Sequence, residues 1–367
     1  MNYNEYMPVR VISGKNCLTE NADILLKYGK KCFIVTGRSS ALKCGCLSQV
    51  TGIFEKNAIN YTVFNEVEQN PLTSTCKKAG EQAREYGADY ILAIGGGSVL
   101  DAAKAIAIFA KNPSFSHSDI YGRAIPSEHL PVILVGTTAG TGSEVTGVSV
   151  LTNADTGIKK SISGADCYAD ISFCDYSYTK STNTEIRVST ALDAFCHAVE
   201  AYLASSANEN VFLYSEKAVR LMGSYILSGN FEIFSDEDFE KMYAGSIYAG
   251  LAINIAGTDF PHTVGYYLTE QHGIPHGKAC AVFMPLLLER AKKYCPEKLG
   301  AILEVMGCGY DELCNAVKAL ADVKISASED EIRKVALRWK NPIKNFDRSP
   351  GGFSCEDAAQ ALISLIS

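Results

Sequence analysis

Side chains that bind metal ions recur in the second half of this sequence. Asp193 and His197 are four residues apart in an apolar stretch with helical spacing, so both lie on one helix face with Cβ atoms about 5–6 Å apart. Such a pair also fits an ordinary hydrogen bond on a helix surface. Two further histidines, His262 and His276, complete a set of three nitrogens and one oxygen. That set suits zinc or ferrous iron, and we predict a metal site from these four residues.

The other histidines and one glutamate have different interpretations. His272, four residues before His276, is a rival ligand, although its neighbours indicate a loop. His117 and His129 fall in a polar stretch rich in serine and proline, and we predict that they are exposed. Glu200 continues the same helix face and is interpreted as a hydrogen-bond or ion-pair partner of a ligand.

Glycine-rich segments in the first half have the composition of phosphate-binding loops. Three glycines, Gly95 to Gly97, follow an apolar run and precede Ser98, a suitable first residue for a helix. Glycine allows close approach of the backbone, and free N–H groups at a helix start stabilise an anion. Asp101, in the first turn, suits the helix dipole. The alternative is a tight turn without a ligand.

A second loop, residues 137–144, is crowded with hydroxyls and glycines and follows another apolar run. Two such loops in one α/β domain favour a dinucleotide site. The predicted contacts are Gly96, Gly97, Ser98, Asp101, Thr137, Thr138, Thr141 and Ser143.

The segment Gly37-Arg38-Ser39-Ser40 bears on the choice of coenzyme. An acidic residue near such a strand end binds the ribose 2′-hydroxyl of NAD and repels a 2′-phosphate. No acid is present here, and Arg38 lies between Gly37 and two serines. We therefore predict that Gly37, Ser39 and Ser40 contact NADP in preference to NAD; the alternative is a solvated turn.

Strand-like and helix-like patterns alternate in the first half. Apolar runs and intervening helices of this length indicate βαβ units and a parallel sheet that is covered on both faces. The predicted strands are 31–36, 61–64, 90–94 and 131–135, and the predicted helices are 73–86 and 98–110. We also predict a hairpin, formed by residues 145–152 and 159–163, that is appended to the sheet. From residue 184 helical spacing predominates, over 185–204, 210–227, 236–255 and 285–306. We predict an α/β domain over 1–183 and a helical domain over 184–367.

Composition excludes several functional classes. The chain has 367 residues, 47% hydrophobic and 20% charged, with a formal charge of −7. Nucleic-acid and anionic-membrane partners require basic patches, so neither is expected. No apolar run is long enough to span a membrane, and the first residues lack the pattern of a signal peptide. We expect a cytoplasmic protein whose 13 cysteines are reduced and mostly buried as small apolar side chains.

Several of these motifs, in the same order, resemble the iron-containing (group III) alcohol dehydrogenases. The similar segments are GGGSVLDAAK from Gly95, TTAGTGSE from Thr137, ALDAFCHAVE from Ala191 and PHG from Pro275. The resemblance implies a dinucleotide-binding parallel-sheet domain and an all-α C-terminal domain, the dehydroquinate synthase-like architecture. It also implies a small-molecule alcohol or aldehyde substrate, and a homodimer.

The resemblance assigns roles to individual residues. It implies that Fe²⁺, or alternatively Zn²⁺, is bound by Asp193, His197, His262 and His276. It also implies that the enzyme interconverts primary alcohols or diols with aldehydes. Coenzyme contacts are implied at Gly97, Ser98, Asp101, Thr137, Thr138 and Lys160. Many members carry a histidine four residues after the third ligand, where this chain has Tyr266. The hydroxyl of Tyr266 or the coenzyme ribose is then the candidate for proton transfer.

Other functions remain open at this point. One is a polyol dehydrogenase of the glycerol type on the same scaffold. Another is the cyclase 3-dehydroquinate synthase, whose ligand pattern includes a glutamate and so differs from this one. The third is a non-catalytic nucleotide-binding protein with a structural metal, although structural zinc sites are more often rich in cysteine.

Overall fold

The computed structural model describes residues 5–122 and 128–367. It contains two compact units. The α/β unit comprises the described residues up to Asn183 together with Ser235–Tyr243, and the helical unit comprises Thr184–Phe234 and Ala244–Ser367. Within the described residues, Ser235–Tyr243 is the segment that the predicted ranges assign to the other unit. No helix in the described part of the chain is long and apolar enough to cross a bilayer.

Parallel strands form the centre of the α/β unit. Within the described residues the main sheet has six strands in the order β1-β8-β5-β4-β2-β3, all paired in parallel. Its strands are β1 (Arg10–Ser13), β2 (Lys31–Gly37), β3 (Asn60–Val67), β4 (Tyr90–Gly95), β5 (Val132–Gly136) and β8 (Ile171–Cys174). The four predicted strands are confirmed. β1 and β8 were missed because four residues provide too little pattern to read.

The hairpin differs from its prediction. Its strands, β6 (Val148–Thr152) and β7 (Lys159–Ser163), pair antiparallel as a separate two-stranded sheet. The expectation that it is appended to the parallel sheet is therefore wrong. An isolated bridge joins Thr152 of β6 to Leu72.

The strand order creates a point where the direction of winding reverses. From β2 the chain continues to its neighbour β3, whereas from β4 it continues on the other side to β5, so the reversal lies between β2 and β4. Ligands of open α/β sheets bind beyond the strand carboxyl ends at such a point. Gly37 ends β2 and Gly95 ends β4, and these strands are directly paired. The fold therefore places two of the predicted coenzyme segments at this reversal.

Both faces of the sheet are covered, as predicted. Among the described residues, the α-helices between its strands are α1 (Cys17–Glu20), α2 (Ser40–Lys43), α3 (Cys46–Lys56), α4 (Thr73–Tyr86) and α5 (Gly97–Lys111). Successive strand side chains point to opposite faces. Phe33 and Ile91 belong to a core cluster that contains much of α5, whereas Ile34 and Leu92 belong to a second cluster with Phe54 of α3.

Helices account for the second half of the chain. They are α6 (Thr184–Leu203), α7 (Glu209–Ser228), α8 (Asp236–Ala256), α9 (Phe260–His272), α10 (His276–Ala281), α11 (Met284–Tyr294), α12 (Pro296–Met306), α13 (Tyr310–Ala321), α14 (Glu329–Ala336), α15 (Lys344–Arg348) and α16 (Cys355–Ile363). The helical run predicted over 285–306 is two helices. Pro296 cannot continue α11 but fits the first position of α12.

Two glycines allow the helices of the candidate metal site to pack closely. A Cβ atom on Gly277 of α10 would overlap the carbonyl group of Ser189 in α6. A Cβ atom on Gly265 of α9 would lie 2.8 Å from the Ala279 carbonyl oxygen of α10. Because glycine lacks this atom, α10 lies against both α6 and α9, the two helices that bear the other predicted ligands.

Candidate functional site

The four predicted metal ligands lie together in the helical unit. Asp193 and His197 are one turn apart on α6, His262 is in the first turn of α9, and His276 is the first residue of α10. Asp193 Oδ1 lies 3.3 Å from His262 Nε2, 3.7 Å from His276 Nε2 and 3.9 Å from His197 Nε2. Donor atoms bound to one ion at about 2.1 Å in a tetrahedron are about 3.4 Å apart, so these separations fit a shared divalent cation.

Electrostatics keep the central carboxylate ionised. Asp193 is 3% exposed. Burial acts to raise its pKa, but His197, His276 and His262 hold the pKa of this carboxyl well below its usual range. A buried carboxylate therefore faces three imidazoles, the donor chemistry of an iron or zinc site.

A buried glutamate orients one ligand. Glu200 is fully buried on α6, and its Oε1 lies 2.6 Å from His262 Nδ1. Its Oε2 accepts a hydrogen bond of 2.8 Å from the backbone N–H of Asp259. Since a carboxylate only accepts, Nδ1 of His262 carries the proton toward Glu200, and Nε2, 3.3 Å from Asp193 Oδ1, is the ring nitrogen that would face a shared cation. This contact agrees with the interpretation of Glu200 as the partner of a ligand.

Ring packing also restricts the imidazoles. The His197 and His262 rings stack with centroids 4.4 Å apart and an angle of 17° between their planes. The Tyr266 ring stacks on His276 at 5.4 Å and 14°. The half-buried Tyr266 thus lies directly beside the metal-ligand candidates.

Sequence reasoning missed Cys280 as a member of this cluster. Its Sγ lies 3.8 Å from both ring nitrogens of His276, and burial raises the pKa of its thiol to about 11. Its small, apolar neighbours in the sequence instead indicate an apolar packing residue. Its position four residues after His276 was the signal that could have identified it.

The remaining histidines lie elsewhere. His272 ends α9, and its Nε2 lies 3.3 Å from the Tyr267 hydroxyl. His117 and His129 are half-buried rather than exposed, so that expectation is wrong. His117 lies near the Thr73 hydroxyl, and His129 lies 3.9 Å from an Asp166 oxygen. These tertiary contacts partly cover both rings.

In the α/β unit the two glycine-rich loops pack against each other. A Cβ atom on Gly96 would lie 2.9 Å from the Thr138 hydroxyl, and one on Gly97 would overlap the Thr141 side chain. The Thr137 N–H donates to the Gly95 carbonyl at 2.9 Å. The loops after β4 and β5 are therefore packed together at the start of α5.

Asp101 and Ser143 have internal partners. The Ser143 hydroxyl donates to Asp101 Oδ1, and Oδ2 of Asp101 accepts the Val150 N–H at 2.8 Å. The ammonium of buried Lys104 donates to the Ser143 hydroxyl and carbonyl and to the carbonyls of Thr146 and Val148. This network joins α5 to the segment that follows the second glycine loop.

The other predicted coenzyme residues are distributed over three elements. Ser98 lies in the first turn of α5, and its Oγ accepts the Asn70 N–H at 3.3 Å. Ser39 and Arg38 are exposed just beyond β2, and Ser40 begins α2. Lys160 is exposed on β7, with its ammonium 5.1 Å from the centre of the Tyr121 ring.

Comparison with known proteins places this geometry in a family. Residues 8–176 match the family model described as iron-containing alcohol dehydrogenase, and residues 187–337 match the C-terminal model of the same family. The chain belongs to the iron-containing alcohol dehydrogenases. It is accordingly an iron-type, NAD(P)-linked enzyme that interconverts alcohols and aldehydes, which excludes a non-catalytic nucleotide-binding protein.

Individual members of the family agree with this placement. The chain is 31% identical over 303 residues to 1,3-propanediol dehydrogenase of Klebsiella pneumoniae, covering 80% of this chain and 77% of that protein. It is 27% identical over 324 residues to NADPH-dependent butanol dehydrogenase of Clostridium saccharobutylicum, covering 86% and 82%. The crystal structure of an iron-containing alcohol dehydrogenase from Thermotoga maritima superimposes with a TM-score of 0.91, at 32% identity and 99% coverage of both chains.

The hydrogen bond from His262 to Glu200 predicts a measurable effect on metal affinity. Glu200→Gln keeps the shape of the side chain but removes the charge that holds the His262 tautomer, and we expect metal affinity to fall by about 10–100-fold. The measurement is a competition titration against a chelator. Glu216→Gln, on α7, is the control, because Glu216 accepts from the Tyr202 hydroxyl instead. Equal affinities in the two variants would contradict the role of Glu200.

Proposed function

We propose that this chain binds Fe²⁺ through Asp193, His197, His262 and His276 and interconverts primary alcohols or diols with aldehydes, using NADPH in preference to NADH. The observation that carries the proposal is the buried carboxylate with three imidazole Nε2 atoms within 3.3–3.9 Å of one of its oxygens. The two glycine-rich loops of the α/β unit provide the second requirement, a site for the coenzyme diphosphate.

The protein groups of the metal site have separable roles. Bound iron would supply a Lewis acid for the substrate oxygen. Asp193 contributes the negative charge that balances the cation, and the histidines contribute neutral nitrogen donors. Glu200 keeps the His262 proton on Nδ1, so that Nε2 is available as a donor.

The loops of the α/β unit have a positioning role. The coenzyme supplies the hydride carrier, whose position the protein must fix. Backbone N–H groups at the start of α5 suit the diphosphate, and the absence of side chains at Gly96 and Gly97 lets the loop after β5 pack against this helix start. Lys104 and Asp101 hold α5 against the chain that follows Gly142, so the spacing of the two loops is set by buried hydrogen bonds.

Enzyme activity provides the direct test of this function. Protein reconstituted with Fe²⁺ under anaerobic conditions should oxidise NADPH in the presence of short-chain aldehydes, and metal-free protein should not. His262→Ala should lower this turnover at least about 100-fold and reduce the iron content, since it removes a ligand. The matched control is His272→Ala, which should retain both. No metal-dependent turnover over a broad panel of aldehydes and diols would reject the proposal.

The preference for NADPH is attributed to the end of β2. Arg38 and Ser39 are exposed there, and no acidic residue lies between Gly37 and Ser40 to repel a 2′-phosphate. The relative from Clostridium saccharobutylicum, named as NADPH-dependent, supports this preference.

Substitution of Arg38 tests this preference. Arg38→Ala should lower the ratio of kcat/KM for NADPH to that for NADH by about tenfold, the effect of losing a charge-assisted hydrogen bond. Arg84→Ala, an equal change of charge at another exposed position of the same unit, should leave the ratio unchanged. A wild-type enzyme that uses NADH as well as or better than NADPH would refute the interpretation of this segment.

Tyr266 is proposed to hold the transferred proton at its hydroxyl oxygen. Tyr266→Phe should keep the ring stacked on His276 but lower kcat by about 100-fold and alter its pH profile, because the hydroxyl is lost. Tyr266→His should restore part of kcat. Tyr267→Phe removes a neighbouring hydroxyl that contacts His272 and serves as the control. An unchanged kcat and pH profile in Tyr266→Phe would exclude the hydroxyl from proton transfer.

A further inference from the structure

Cys280 is a sulfur donor that the four-residue ligand set does not include. It lies one turn after His276 on the short helix α10, so both side chains project from one face. Asp193, His262, His276 and Cys280 each offer a donor atom, and these four atoms all lie within 4.8 Å of one another. Three helices therefore bring one carboxylate, two imidazoles and one thiol together.

The surroundings of this thiol differ from those of a cysteine that merely fills the core. Cys280 is fully buried, yet its Sγ lies within 4.8 Å of donor atoms of Asp193, His262 and His276. A buried structural cysteine is usually surrounded by apolar side chains, where it acts as a small hydrophobic residue. Here the thiol belongs to the polar wall of the candidate metal site.

Distances put the sulfur near coordinating range. Sulfur and nitrogen ligands of one tetrahedral ion are about 3.6 Å apart, and Sγ of Cys280 lies 3.8 Å from His276 Nε2. Because Sγ is equally far from Nδ1, it lies beside the imidazole rather than in line with Nε2. Coordination of one ion by both groups therefore requires the thiol or the imidazole to reorient slightly, and their donor atoms already lie within 4.8 Å of each other.

We propose that Cys280 is an additional metal ligand in this chain, and that its thiolate binds the same ion as Asp193, His197, His262 and His276. This inference rests on the metal site of the proposed function. On binding, the S–H bond breaks, its proton passes to solvent and a sulfur–metal bond forms without transfer of electrons. Thiolate is a softer donor than carboxylate or imidazole, so it raises the affinity of the site for Zn²⁺ and Co²⁺ relative to Fe²⁺.

Cobalt substitution tests the sulfur–metal bond independently of activity. Metal-free protein reconstituted with Co²⁺ should show visible ligand-field bands and a near-ultraviolet charge-transfer band from sulfur to cobalt. Cys280→Ala and Cys280→Ser should lose the charge-transfer band but retain the visible bands. Cys196→Ala is the matched control, because it removes another fully buried thiol of the helical unit and should leave the spectrum unchanged.

A second readout is metal selectivity. In competition between Zn²⁺ and Fe²⁺, loss of the sulfur in Cys280→Ala should lower the preference for Zn²⁺ by at least about tenfold. Unchanged circular dichroism would show that this variant is folded.

The outcomes separate this inference from the proposed function. Bound Co²⁺ without a charge-transfer band in the wild-type protein, or the same band in Cys280→Ala, would overturn the role of Cys280 and leave the four-ligand site intact. Failure of the wild-type protein to bind Co²⁺, Zn²⁺ or Fe²⁺ would overturn both.

Discussion

The buried negative charge of Asp193 is the constraint around which the helical unit is organised. A carboxylate at 3% exposure is costly unless cations or hydrogen-bond donors surround it. His197, His262 and His276 provide this environment, and their arrival from three helices requires the close contacts that Gly265 and Gly277 permit. Without a cation, burial of these polar side chains therefore costs folding free energy. With a cation, the same side chains serve as its ligands. A divalent cation turns the same charge from a cost into a binding contribution.

The α/β unit is expected to bind a ligand of the opposite charge, and it offers different groups for this. Its ligand is expected to be an anion, and the sheet supplies glycine-rich turns and a helix start at the reversal between β2 and β4. Lys104 lies beneath these turns, almost fully buried, with its ammonium satisfied by Ser143, Thr146 and Val148. Such a satisfied buried network holds surrounding backbone rigidly. Asp101 and Ser143 thus position the loops through internal hydrogen bonds.

Particular elements show which predictions depended on local pattern alone. The helix predicted over 73–86 coincides with α4, because apolar spacing and the following Gly87 mark it locally. The helical run predicted over 285–306 is wrong at Pro296. Although the apolar spacing continues past this residue, proline cannot continue the preceding helix. β1 and β8 were not predicted, because these strands are defined by their pairing with each other and not by the pattern of their own four residues. His117 became half-buried through contacts with residues distant in sequence.

The sequence by itself determined the chemistry of each half: glycines and hydroxyls after apolar strands in one, and a carboxylate with three histidines in the other. These follow from residue type and short-range spacing, which do not depend on how the chain packs. Tertiary structure decided how far apart the donors lie, the tautomer that Glu200 imposes on His262, and the presence of Cys280 beside His276. Those features depend on close packing of helices that are distant along the chain, and no local pattern encodes the distances between them.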